Sequence, residues 1–237
     1  MITVESLNKT YGKKDNIFQA LKDISFVIPD RQTTAIIGKS GSGKSTLMHI
    51  MSGLDHPTSG TVTVNGTNLF TMKSKEMDKF RANEMSFIFQ AFFVEANQTC
   101  YENVMLPLEI ARVPISKRRK MVMTALKAVE LESKAQNFAA TLSGGQKQRL
   151  AIARAIVNKP SIVFADEPTG NLDSTTGEKV IKLLFGLNHV LGCTIVLVTH
   201  DHDLAARCQQ QISLKDGEII SMHTTPVAHH TNRKVGA

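Results

Sequence analysis

The sequence predicts an α/β fold: a parallel sheet with helices on both faces. Three observations point there. "TTAII", "SIVFAD" and "TIVLVT" are short, apolar, β-branched runs, the pattern of strands buried on both faces. Stretches with apolar residues at helical spacing alternate with them. The first of these strands runs straight into a glycine-rich loop, "GKSGSGKST" at Gly38–Thr46, and then into a helical stripe.

In chain order, Ile24, Phe26 and Ile28 recur at strand period and "TTAII" follows. Past the glycines, Leu47, Ile50, Met51 and Leu54 form one apolar helix stripe. "HPTSG" turns the chain into "TVTVNG", an alternating strand closed by Asn-Gly. "FIFQ", Phe87–Gln90, reads as a short buried strand. From about Ala91 to Pro160 the pattern is helical. Ser116 is expected to cap a helix with the stripe Val122, Ala125, Leu126 and Val129. Ser143 is expected to cap the next, with Leu150, Ala153 and Val157 inward and Pro160 beyond its end. "SIVFAD" and "TIVLVT" flank a helix around Val180–Leu191, and "LKDGEII" is a closing hairpin on its Asp-Gly turn. The tail, 222–237, reads as disordered; metal binding by its pair His229 and His230 is the alternative.

Composition narrows the class. With 42% hydrophobic and 21% charged residues among 237, the chain is that of a soluble globular protein. No apolar run approaches the roughly 18–20 residues of a membrane helix, and "MITVESLNKTYGKK" has no apolar signal-peptide core. Cys100, Cys193 and Cys208 are widely spaced, as reduced cytosolic thiols rather than a disulfide frame or zinc site. The formal net charge is +7, and the densest basic run spans Arg112–Lys127 with no acid in it. An anionic membrane face or nucleic acid would suit such a patch; a solvated helix face is the plain alternative.

Gly38–Ser45 fits the phosphate-loop pattern, with a strand before it and a helix after it. Backbone N–H groups around Gly38, Lys39, Ser40, Gly41, Ser42 and Gly43 wrap phosphates, and the helix N-terminus at Lys44, Ser45 and Thr46 adds favourable potential. Lys44 reaches the β- and γ-oxygens, and the Ser45 hydroxyl ligates Mg²⁺. Asp166 ends an apolar strand at the sheet edge where α/β proteins bind ligands, and suits Mg²⁺. Glu167 follows on the other side of the chain, where it can accept a proton from an attacking water. Gln90 and His200 end two further strands. Alone, either is ordinary; four strand ends converging on one phosphate are how a phosphoryl-transfer site is built.

Over roughly residues 1–221 the sequence resembles the ATP-binding-cassette (ABC) ATPases. The phosphate loop, Gln90, "LSGGQ", "IVFADE", "NLD" at Asn171–Asp173 and His200 stand in family order. The resemblance implies a P-loop NTPase: a RecA-like parallel core (1–90 and 161–221), an antiparallel β subdomain and an inserted α-helical subdomain (91–160). It implies ATP and Mg²⁺ as cofactors and a head-to-tail homodimer in which Ser143, Gly144, Gly145 and Gln146 close over the partner's nucleotide. Tyr11 matches the aromatic that stacks on adenine, although a tyrosine after a strand equally serves packing. Gln90 matches the Mg²⁺ and water sensor, Asp173 the loop linking the two sites, and His200 the γ-phosphate switch.

Within the family, "SGLDHPTSGTV", "ENVMLPL", "LSGGQKQRLAIARAIVNKP" and "FADEPTGNLDS" are similar to the macrolide-exporter and lipoprotein-release group. That implies a cytoplasmic-face ATPase driving a permease, four-span with a large extracellular domain, in export, lipoprotein extraction or antimicrobial-peptide removal. A division-associated signalling role without transport is the alternative. Nucleic acid is not expected, because soluble relatives acting on DNA or ribosomes carry a coiled-coil insertion or tandem cassettes. "AFFVEANQTCYENV" departs from the group's leucine- and proline-rich stretch, so cargo does not carry over. The permease is expected on Ala91–Leu108, with Glu95 selecting a basic or hydrogen-bonding partner.

Overall fold

Alternation along the strands sorts side chains between two cores. In β7 (Ile162–Asp166), Ile162 and Phe164 enter one apolar cluster while Val163 and Ala165 enter another. In β8 (Thr194–Thr199), Val196 and Val198 join the first, Ile195 and Leu197 the second. A sheet apolar on both faces must be covered on both. The computed structural model, which describes residues 1–12 and 16–225, has the expected parallel sheet. Its order is β10 (Glu218–Thr224), β9 (Gln210–Lys215), β3 (Thr33–Ile37), β8, β7, β6 (Met85–Ile88). All pairs from β9 to β6 are parallel, and β10 returns antiparallel on the edge.

One face of this sheet packs on α1 (Lys44–Met51) and a second, antiparallel sheet of order β2 (Phe18–Ile28), β1 (Ile2–Tyr11), β4 (Ser59–Val64), β5 (Thr67–Asn68). The other face packs on α3 (Cys100–Ile110), α4 (Ile115–Ala128), α5 (Gly144–Ile156), α6 (Ser174–Leu191) and α7 (His202–Ala206). Segment 91–160 thus supplies α3, α4 and α5 to one side of the molecule.

Several local expectations change. α1 stops at Met51, and Leu54 lies beyond it, exposed. α2 (Ser74–Glu84) is a helix that the apolar pattern does not announce, since Met77 is its single buried residue. Its start is marked instead by the Glu76 carboxylate, which accepts from the Lys73 N–H at 3.0 Å. β6 ends at Ile88, so Phe89 and Gln90 leave the sheet. Ser116 does not cap α4: Pro114 precedes its first turn and Ser116 lies inside it, proline's fixed φ suiting a helix start. α6 begins at Ser174, a turn and a half before its apolar stripe. β10 carries order to Thr224, past the 221 boundary, because its backbone is paired with β9 through Thr224–Gln210. His229 and His230 lie outside the described residues.

Candidate active site

The phosphate loop leaves β3 at Gly38 and enters α1 at Lys44. Gly43 makes that corner at φ 102°, and a Cβ there would sit 2.7 Å from the Ala20 carbonyl oxygen. Only glycine allows both the left-handed backbone and the approach. Lys44 is buried under the loop it follows, donating to the Gly38 carbonyl at 2.8 Å and the Lys39 carbonyl at 3.0 Å. The first N–H groups of α1 have no partners within the helix. Ser42 Oγ is buried without a hydrogen-bond partner among the described residues. Orphaned donors around a lysine fit a phosphate chain.

A cleft of about 480 Å³ opens over this loop, and Ser40, Lys44, Ser45, Thr46, Asp166, Glu167 and His200 are among its lining residues. Asp166 ends β7. Burial pushes its carboxyl up, the Glu167 charge adds to this, and His49 and Lys44 oppose it. Two adjacent carboxylates at a cleft wall fit a divalent cation. Among the described residues no three His, Cys, Asp or Glu side chains cluster as a metal site, so such a cation would complete its shell from Ser45, phosphate and water. Glu167 stands at φ 44°, its N–H donating to the Val198 carbonyl at 2.9 Å. Its Oε1 lies 2.8 Å from His200 Nδ1.

Three of the four expected strand ends therefore meet. Gln90 does not line the cleft. It is turned toward Asn171, whose Nδ2 donates to the Gln90 carbonyl at 2.9 Å while Gln90 Nε2 reaches Asn171 Oδ1 at 3.4 Å. Tyr11 stands beside the cleft rather than in it. Its hydroxyl donates to Asp55 at 2.6 Å, and Lys9 Nζ, itself 2.8 Å from Asp55, lies 4.6 Å from the ring centroid. Phe18 and Ala20 line the cleft and escaped the sequence reading. Phe18 is exposed at a strand start and paired in register with Tyr11, both features of the folded chain that no local pattern announces.

The second glycine loop faces elsewhere. Ser143 caps α5 as expected, its Oγ accepting from the Gln146 N–H at 3.4 Å while Gln146 Oε1 accepts from the Ser143 N–H at 3.0 Å. Ser143, Gly145 and Gln146 line a separate cleft with Arg149 and Lys179. Gly144 sits against Leu172 and Phe92. Asp173 caps α6, accepting from the Thr176 N–H at 3.0 Å. None of Ser143, Gly144, Gly145, Gln146 and Asp173 lines the phosphate cleft.

Parallel strand ends that present a phosphate loop, a carboxylate pair and a histidine define a nucleoside-triphosphate-hydrolysing cassette. The ABC transporter family matches residues 21–170. The chain is 42% identical over 221 residues to the ABC transporter ATP-binding protein YtrE of Bacillus subtilis, covering 92% of this chain and 96% of YtrE. It is 41% identical over 221 residues to the lipoprotein-releasing system ATP-binding protein LolD of Syntrophus aciditrophicus, covering 93% and 99%. A dimeric, post-hydrolysis structure of the ATP-binding cassette MJ0796 of Methanocaldococcus jannaschii, bound to ADP and Pi, superposes with a TM-score of 0.86. That match is 40% identical and covers 95% of this chain and 99% of the other. The chain belongs to the ABC transporter family, as its ATP-binding and ATP-hydrolysing cassette.

Proposed function

We propose that two copies of this chain close head to tail around two ATP molecules on the cytoplasmic face of a membrane, and that hydrolysis drives an integral-membrane permease. The observation that carries this reading is the separation of the two glycine-rich loops. Lys44 and Ser143 line different clefts of one chain. A triphosphate cradled at Gly38–Thr46 would have Lys44 and the start of α1 on one side and no cover on the other. A second copy supplies that cover through Ser143, Gly144, Gly145 and Gln146, with a hydroxyl and the free N–H groups at the start of α5. Asp173, close by at the start of α6, then lies along the joint. The likeness to a lipoprotein-releasing ATP-binding protein favours extraction or export as the work done.

Within each composite site, Glu167 takes a proton from the water that attacks the γ-phosphorus. The bond from phosphorus to the β–γ bridging oxygen breaks, leaving ADP and phosphate. His200 orients Glu167 and faces the γ-phosphate. Ser45 and Asp166, with Gln90 if released from Asn171, would hold Mg²⁺, which when bound would neutralise phosphate charge. Tyr11 offers adenine the ring face that Lys9 leaves open.

Mixed subunits test the arrangement. Lys44→Ala disables a subunit's own cradle, whereas Ser143→Arg blocks the cover it lends. A pair with one change on each subunit should keep one intact composite site, since both defects fall on the same interface. A doubly substituted subunit paired with wild type should spoil both sites. Equal residual ATPase in the two mixtures would rule out action across the interface.

A further inference from the structure

Away from the ATP cleft, a cavity of about 540 Å³ opens where α4 meets the C-terminal ends of α5 and α6. Its floor is aliphatic, with Ala125, Ile156 and Leu187 all buried. At its mouth Val190 of α6 is 81% exposed, an apolar side chain left facing water. Lys117, Lys120 and Lys159 stand around it, and no acidic side chain lines it. Among the described residues none of these three lysines has an ion-pair partner.

The charge arrangement is unfavourable as it stands. Lys117 falls in the first turn of α4, where the helix macrodipole favours anions, Lys120 follows in the second turn, and the helix contains no acid at all. A bound carboxylate would relieve both the lysines and the dipole. The interior asks for something else. Thr124 is one of its few hydroxyls, and that hydroxyl already donates to the Lys120 carbonyl at 2.8 Å. A peptide would bring backbone groups that this lining cannot satisfy. A ligand apolar along its length and anionic at one end satisfies both halves, and the volume lies within the range of small-molecule sites.

We propose that this cavity binds a fatty-acid anion, its methylene chain on the aliphatic floor and its carboxylate on Lys117 and Lys120. The test titrates the full chain calorimetrically with octanoate, decanoate and dodecanoate, each below its micelle concentration. Binding should be saturable and one to one, tightening about fourfold per added methylene. Dodecyltrimethylammonium, with the same chain and the opposite charge, should bind at least tenfold more weakly. Ala128→Phe plugs the cavity from its exposed rim without crowding a buried site, and Lys117→Glu with Lys120→Glu reverses the head-group contact. Each should weaken dodecanoate binding at least tenfold, while basal ATPase and the melting temperature of the free protein stay unchanged. Affinity independent of chain length, equal binding of the cationic chain, or undiminished binding by the Ala128→Phe protein would overturn the proposal. So would a chain that ignores monomeric dodecanoate yet binds phosphatidylglycerol vesicles or an acidic peptide, which would make α4 a macromolecular docking face.

Discussion

Glu167 is held at φ 44°, where a non-glycine backbone is uncommon and strained, and such positions cluster at functional sites. The strain has a geometric return: the backbone turns across to Val198, and the side chain meets His200. Glu167→Gln should keep ATP binding and cut turnover by roughly 10²–10⁴-fold, measured as steady-state ATPase against equilibrium nucleotide binding. Normal turnover would remove Glu167 as the base. Asp166 makes a second prediction, through pH. Burial and the Glu167 charge raise its carboxyl. A group raised on folding contributes stability that is present below its unfolded value, roughly 3.9, and lost as pH rises through the folded value. Near pH 8 the ionised carboxylate therefore costs the nucleotide-free protein stability. Asp166→Asn should raise the melting temperature there by about 1–3 °C, and by less near pH 4, while Mg²⁺-dependent ATPase falls. A lower melting temperature near pH 8 would contradict this. Both residues were legible as a strand end beside a phosphate loop. The turn of Gln90 toward Asn171 was not, because it depends on a loop 81 residues away.

Helices were legible where their ends carry side-chain signals or their faces carry a stripe. Ser143 has both, with Gln146 three residues on to complete the box. α2 has no stripe, and its one end signal, Glu76 reaching back to the Lys73 N–H, lacks a capping side chain at Lys73, so periodicity passes over it. Ser116 misleads because a serine near a helix start is a cap only if the first turn begins after it, and the first turn begins at Ile115, directly after Pro114. The glycines of "LSGGQ" carry a structural duty that spacing does not reveal. A Cβ on Gly145 would lie 2.3 Å from Thr176 Cγ2, so α5 and α6 approach only because Gly145 has no side chain. Gly145→Ala should destabilise the chain by about 1–3 kcal/mol through overpacking. Thr176→Ser removes that methyl and keeps the N–H that Asp173 caps, so the double variant should recover most of the loss in chemical denaturation. A double variant as unstable as Gly145→Ala alone would place the defect in backbone propensity instead.

For the whole molecule, one sheet carries two cores, and the segment after β6 joins them. Arg154 of α5 ties that segment down by donating to the carbonyls of Phe92 and Phe93. Burial disfavours the charge of the half-buried Arg154 guanidinium and Glu95 favours it, so Glu95→Lys would disturb the fold as well as any docking. Phe93 is the cleaner probe. It is 64% exposed, meets Phe89 edge-on at 5.3 Å, and sits at φ 45°, which aspartate tolerates better than phenylalanine. Phe93→Asp should leave basal ATPase intact and abolish co-purification with the permease. Retained co-purification would move the docking surface away from Ala91–Leu108.

By itself, the sequence determined the parallel sheet, the phosphate loop, the Asp166–Glu167 pair, the Ser143 cap and the closing hairpin. Each rests on neighbours within a few residues: strand alternation, helical spacing, caps and turns are all local. Only the tertiary structure decided that Gln90 faces Asn171, that Lys9 and Asp55 clamp Tyr11, that Phe18 shares the cleft, and that Gly145 makes room for Thr176. Those contacts join residues far apart in the chain, and what selects them is the packing of two cores against one sheet, which no local pattern encodes.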